Sequence, residues 1–219
     1  MARSSAARKL DETIALRDVK RPGFGGGGPP PVLPNPAVLP NAHLAVLMLL
    51  GAEVMFFAGL IGAFLVFRLS ATVWPPPFQP RLPIGITGVN TAILLASGMT
   101  MYLAGRAVRA NAIATLIRQL TITVLLGSAF LVIQGNEWIR LIHFGLTASS
   151  SVYGGLFYAL IGAHAVHVLC GLIWVIVVRL QARRGRYSKS RCAGVQTSAM
   201  YWTFVVALWP VLYGLVYLY

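Results

Sequence analysis

Residues 44–67 read LAVLMLLGAEVMFFAGLIGAFLVF, 24 residues in which Glu53 carries the only charge. A run of that length and polarity spans a bilayer as a helix. An ionised carboxylate inside such a helix is costly, so residues of this kind usually face a bundle interior or a water-filled cavity. Glu53 therefore sets the question for the rest of the chain: which group at the same depth does it meet?

Four further runs are long and apolar enough to cross a membrane. With the first they give spans at about 44–67, 84–105, 117–136, 152–178 and 198–218. The third is the weakest, because Arg118 must snorkel to the surface. The expected fold is all-α, a polytopic bundle of five transmembrane helices. Composition agrees: 57% of the 219 residues are hydrophobic and 11% are charged, against about 25% charged in soluble domains. The net charge of +13 does not point to nucleic acid, since the basic residues stand between apolar runs rather than on a soluble face. Cys170 and Cys192 form no CxxC pair and read as small apolar fillers.

Charge distribution orients the bundle. With the N-terminus in the cytoplasm, the inner segments hold 15 Lys and Arg and the outer loops hold Arg68, Arg81 and Arg140. The positive-inside rule then predicts N-in, C-out. The inner loop 179–191, RLQARRGRYSKSR, is expected to lie against anionic headgroups, with Arg183, Arg184 and Arg186 as contacts. Residues 1–43 form a basic arm that runs into a Gly/Pro tract, PGFGGGGPPPVLPNPAVLP at 22–40. Such a tract cannot bury enough apolar surface to offset its chain entropy, so its ordering is expected to come from a neighbouring protein. No Lys-Ser/Thr follows the four glycines, which excludes a phosphate loop. In the loop 68–83, Trp74 is expected at the outer interface and Pro83 at the first turn of the second helix.

Helix 4 offers a partner for Glu53. His164 and His167 stand one turn apart, and Gly155, Ala159, Ala163, His167 and Gly171 recur every fourth residue. Small residues at that spacing let another helix approach closely. At about 1.5 Å per residue, Glu53 lies roughly 14 Å from the inner end of its helix and His167 roughly 16 Å from the inner end of its own. The depths match, so Glu53 is expected to contact His167, or His164 one turn further out. Asn90, Thr91, Ser97 and Thr100 of helix 2 are read as cross-helix packing groups. Glu137 is placed to pair with Arg140 at i+3 or to dock on another subunit. His43 and His143 fall near opposite membrane faces and cannot join the midplane pair. No metal or haem site is therefore expected in this chain.

Taken together these segments resemble subunit III of haem–copper terminal oxidases, in its five-helix form. The resemblance rests on GAEVMFF (51–57), NTAILLASGMTMYLA (90–104), the stretch QGNEWIRLIHFGLTASSSVYGGLFYALIGAHAVHVLCGLIWVIVV (134–178) and YWTFVVALW (201–209). It covers about residues 41–219. It implies a subunit without a redox centre, in a bacterial cytoplasmic membrane, that packs on catalytic subunit I and associates with subunit II. Haem and copper belong to those partners, and this chain is implied to stabilise the catalytic subunit, support proton uptake and bind phospholipid. Glu53 is then the family's buried acid, with His164 and His167 as the other proton-linked positions. Glu137, Trp138 and Asn90 mark a corner or subunit contact. The chain departs from the pattern at Ala52, Ala165, Thr203 and Val206. The last two stand where the family usually has His and Asp, which puts a polar network through helix 5 in doubt. The departures leave room for a subunit III-like partner of a nitric oxide reductase. A small proton-coupled transporter is the other reading, though no inverted repeat supports it.

Overall fold

The computed structural model describes residues 41–74 and 84–218. Five helices account for nearly all of them: α1 (Asn41–Ser70), α2 (Ile84–Arg109), α3 (Ile113–His143), α4 (Val152–Arg183) and α5 (Ala193–Tyr213), the last continued by a π-helical turn, Gly214–Leu218. All five are long and apolar enough to cross a membrane. Among the described residues there is no strand, only an isolated bridge between Ser188 and Arg191. Of the expected arm at 1–43, residues 41–43 open α1 and residues 1–40 lie outside the described residues, as do residues 75–83 with Pro83.

Every expected span is present, and each of the first four helices runs longer than its apolar core. The largest extension is in α3, expected to stop near 136 and continuing to His143. The helix continues past the apolar run because the polar side chains there find partners without leaving it. Gln134 turns inward, Asn136 Nδ2 donates to the Val132 carbonyl at 2.9 Å, and Glu137 faces Arg140. An apolar run marks what lipid tolerates; a helix ends only where its backbone is capped.

Three of those caps share one geometry. At the ends of α2, α3 and α4 the residue after the C-cap is left-handed: Asn111, Gly145 and Gly185, with φ of 56°, 89° and 69°. In each case the next amide bonds back five residues: Ala112 to Ala107, Leu146 to Leu141 and Arg186 to Gln181. This is the Schellman closure, which satisfies the last carbonyls and turns the chain sharply. The start of α4 is capped by Ser151, whose Oγ accepts the Gly154 amide at 3.0 Å.

Helices α2, α3, α4 and α5 close a ring, each packing on the next and α5 returning to α2. Helix α1 stands outside the ring and packs chiefly against α5 and α4. Its share of the core is correspondingly small: Val46, Phe57 and Phe64. Inside the ring lie Trp202, Trp209, Phe130, Phe157, Leu94, Met101, Leu116 and Leu120, all fully buried. Lipid gives little hydrophobic drive for helices to associate, so close packing and interhelical hydrogen bonds must supply it. Two indoles do both. Trp202 Nε1 donates to Ser97 Oγ at 3.2 Å and Trp209 Nε1 to Thr91 Oγ1 at 2.9 Å. The Trp202 ring lies so close to Gly127 that a Cβ there would sit 2.8 Å from it. Nothing larger than glycine leaves that slot open.

Candidate functional site: two histidines on one helix

Helix α4 presents His164 and His167 to different neighbours. His167 faces α1. Its Nε2 is 2.7 Å from Glu53 Oε2, and its Nδ1 is 2.6 Å from the carbonyl oxygen of Ala163. The Glu53 side chain is 16% exposed and that of His167 is 19% exposed. Phe57 covers the imidazole edge-on at 5.0 Å between centroids, and Phe56 lies beyond at 5.9 Å. The depth match thus leads to the contact the structure makes, with His167 rather than His164.

His164 points into the ring and is fully buried. It stacks on Trp209 at 5.0 Å and 26°, with Phe57 and Phe130 edge-on at 6.3 and 6.4 Å. Neither ring nitrogen has a hydrogen-bond partner among the described residues. One turn of helix separates an imidazole used for its nitrogens from one used for its flat face.

The small-residue stripe of α4 divides among neighbours. Gly171 lies under Tyr201 and Trp202 of α5, Gly155 faces the Ala148 carbonyl, Ala163 supplies the acceptor for His167, and Ala159 is exposed. Four-residue spacing drifts around the helix, so one stripe serves several partners.

A second polar cluster sits at the other end of the ring. Asn90 Nδ2 donates to the Phe130 carbonyl at 3.2 Å and to Gln134 Oε1 at 3.4 Å, and Gln134 Nε2 reaches the Tyr217 hydroxyl at 3.4 Å. Glu137 lies 3.6 Å from Arg140, whose guanidinium is well exposed. Trp138 packs edge-on against Tyr158 at 6.1 Å, and its Nε1 has no partner among the described residues. Nothing in the spacing of 90, 134 and 217 reveals this chain. It needs the π-helical turn that carries Tyr217 inward. Trp74 stands between Phe64 and Tyr153, both edge-on at 5.6 and 5.1 Å, close to the end expected for an interfacial anchor. In α5, Val206 packs on Gly98 and Thr203 is exposed. That helix joins its neighbours through Trp202, Trp209 and Tyr217 instead.

The opposite end is basic. Arg106, Arg109 and Arg118, then Arg179 to Arg191, cluster where α2 and α4 end and α3 and α5 begin. Arg183, Arg184 and Arg186 are exposed. Arg179 Nε donates to Thr121 Oγ1 at 2.8 Å, and His43 Nε2 meets Gln196 Oε1 at 3.0 Å. In the connecting loop, Tyr187 donates to Gln181 at 2.5 Å, and burial pushes its phenol pKa up, with Arg186 opposing. A groove of about 590 Å³ opens between α1 and α2 over α5, apolar along most of its length and edged by His43, Arg106 and Arg109. His143 ends α3, far from this basic end. No group of three or more His, Cys, Asp or Glu side chains is arranged to hold a metal among the described residues.

Residues 33–219 match the protein family described as cytochrome c oxidase subunit III. Cytochrome c oxidase subunit 3 of Synechocystis is 37% identical over 174 residues, covering 79% of this chain and 73% of the relative. The subunit 3 of Drosophila yakuba is 34% identical over 213 residues, 92% of this chain and 76% of the relative. That of Pelomedusa subrufa is 30% identical over 189 residues, 84% of this chain and 71% of the relative.

Proposed function

Because the chain belongs to the cytochrome c oxidase subunit III family, we propose that it packs on the catalytic subunit of a haem–copper oxidase, holds that subunit intact during turnover and supports its proton uptake. It is a multi-pass membrane subunit of the respiratory chain, and the haem and copper are carried by its partners. Subunits I and II are those partners in this reading.

The observation that carries the reading is the bare outer face of α1. Met48, Ala52, Met55, Gly59, Gly62, Val66 and Leu69 are all exposed and recur in steps of three and four. Nothing lies within 4 Å of a Cβ built on Gly59 or Gly62. Small residues on such a stripe suit close approach of another transmembrane helix. Behind that face, Glu53 and His167 form a ready-made polar pair that a partner can cover. His164, inside the ring, holds the helix that carries the pair. Glu137 and Trp138 make the corner at the far end of α3, and we assign the docking of a neighbouring subunit to it; Asn90 of α2, also expected there, is instead buried within the bundle on Phe130 and Gln134.

The membrane setting follows the same reading. The proposed location is a bacterial cytoplasmic membrane with the N-terminus and the basic end inside. The arrangement of Arg106, Arg109, Arg118 and the 179–191 loop at one end supports this. Arg183, Arg184 and Arg186 are assigned to phospholipid headgroups, and the groove edged by Arg106 and Arg109 suits an acyl chain below such a headgroup. The N-terminal arm is assigned to a neighbouring subunit.

Copurification in mild detergent tests the proposal. A tagged chain should bring down a haem-bearing oxidase core, and Gly62→Leu should cut the recovered haem about tenfold while the chain itself still accumulates. Recovery of a nitric oxide reductase core instead would sink the oxidase reading. Unchanged haem recovery with Gly62→Leu would move the docking face off α1.

A further inference from the structure

We infer that Glu53 and His167 share a single proton and together carry no net charge, with the Ala163 carbonyl fixing which ring nitrogen of His167 holds the other one. Hydrogen-bond accounting gives this. A carbonyl oxygen accepts and cannot donate, so the 2.6 Å contact between Nδ1 and the Ala163 oxygen requires a hydrogen on Nδ1. The nitrogen facing Glu53 is then Nε2, 2.7 Å from Oε2. If both atoms were bare, two lone pairs would face each other at that distance, so a proton lies between them. It sits on Nε2, giving an imidazolium and a carboxylate, or on Oε2, giving an imidazole and a carboxylic acid. The proton count and the net charge are the same in both.

The surroundings hold that count in place. Removing the shared proton would leave a lone negative charge among Phe56, Phe57 and the apolar faces of α1 and α4, a poor solvent for it. Among the described residues, the other ionisable groups near the pair are His164 on α4 and Tyr201 on α5. Neither brings a permanent positive charge. The pair is therefore a neutral dipole whose proton moves across one short bond without changing the charge of the seam. A partner that covers α1 buries a pair of zero net charge rather than a lone, uncompensated ion, the costlier case. This deepens the proton-linked role proposed for the pair and rests on it for its function. The proton count itself rests on geometry alone.

The test uses the intact complex with ¹⁵N-labelled histidine, in bilayers, with His167→Gln as the subtraction that isolates the His167 signals. Nδ1 should be protonated and hydrogen-bonded, and the Nε2 signal should be that of a nitrogen sharing a proton with Glu53 rather than of a bare lone pair. Infrared difference spectra against Glu53→Gln should show the Glu53 carboxyl group in the same shared hydrogen bond. In Glu53→Gln the amide can donate to Nε2, so the Nδ1-protonated ring should persist. In Glu53→Ala the shared-proton signature at Nε2 should vanish. A bare Nδ1 in the wild type, or an Nε2 with no proton between it and Glu53, would overturn the inference. Copurified haem measured on the same samples separates this from the assembly reading: intact complexes with the wrong proton count would defeat only the inference.

Discussion

The two faces of α4 meet different worlds. Toward the ring, His164 is fully buried, stacked on Trp209, and makes no hydrogen bond to a described residue. Toward α1, His167 uses both nitrogens within 2.7 Å of an oxygen. The same side chain serves as a flat aromatic plate in one place and as a proton holder in the other. Its neighbours decide: indole and phenyl rings offer faces, whereas a carboxyl group and a backbone carbonyl offer acceptors. The ring is held by shape, and the seam by polar matching.

That contrast is open to attack by substitution. The largest effect is expected from His167→Phe, which keeps the bulk but strips Glu53 of its partner. Loss of one member of a buried pair costs about 3–5 kcal/mol, and the partly exposed seam should fall near the lower end. Thermal unfolding in mild detergent would show it, and a change too small to resolve would mean that packing alone holds α1. Next comes Gly127→Ala in the ring. The methyl would press on the Trp202 ring, and overpacking of this kind costs about 1–3 kcal/mol. Stability equal to wild type would show that the ring is looser than its fit implies. Smaller still is Thr91→Val, which leaves the buried Trp209 N–H without its acceptor at about 1–3 kcal/mol. Here the expectation is the lower half of that range, read from the same melting curves. The smallest effect belongs to His164→Phe. A flat ring replaces a flat ring and two unpartnered nitrogens disappear, so the melting temperature should stay unchanged or rise slightly. A large loss there would erase the contrast between the two histidines.

Much of this arrangement can be read from residue order. Span lengths follow from apolar runs, because backbone groups in lipid must be satisfied within the helix. The Glu53–His167 contact follows from rise per residue and antiparallel direction. What the sequence hides is rotation. A membrane helix apolar on every side carries no stripe to say which face turns inward. So neither the ring of four helices nor the exclusion of α1 can be read from the pattern, and the choice between His164 and His167 stays open until the structure makes it. The indole bonds of Trp202 and Trp209 are hidden for the same reason: their partners lie more than 100 residues away, and only helix rotation brings them together. The polar end of α3 misleads in another way. Gln134 looks like the end of the span because its partner, Tyr217, becomes visible only when the helices are packed, whereas the pairing of Glu137 with Arg140 follows from their spacing.

The position of α1 outside the ring has a consequence in time. Ribosomes deliver the chain from its N-terminus, and His167 emerges roughly 110 residues after Glu53, a delay on the order of ten seconds at about 5–20 residues per second. For that interval the first helix enters the membrane with an acid and no partner from this chain. A newborn α1 therefore waits with its acid unpaired, and the polar match that seats it on the bundle exists only once the fourth helix arrives.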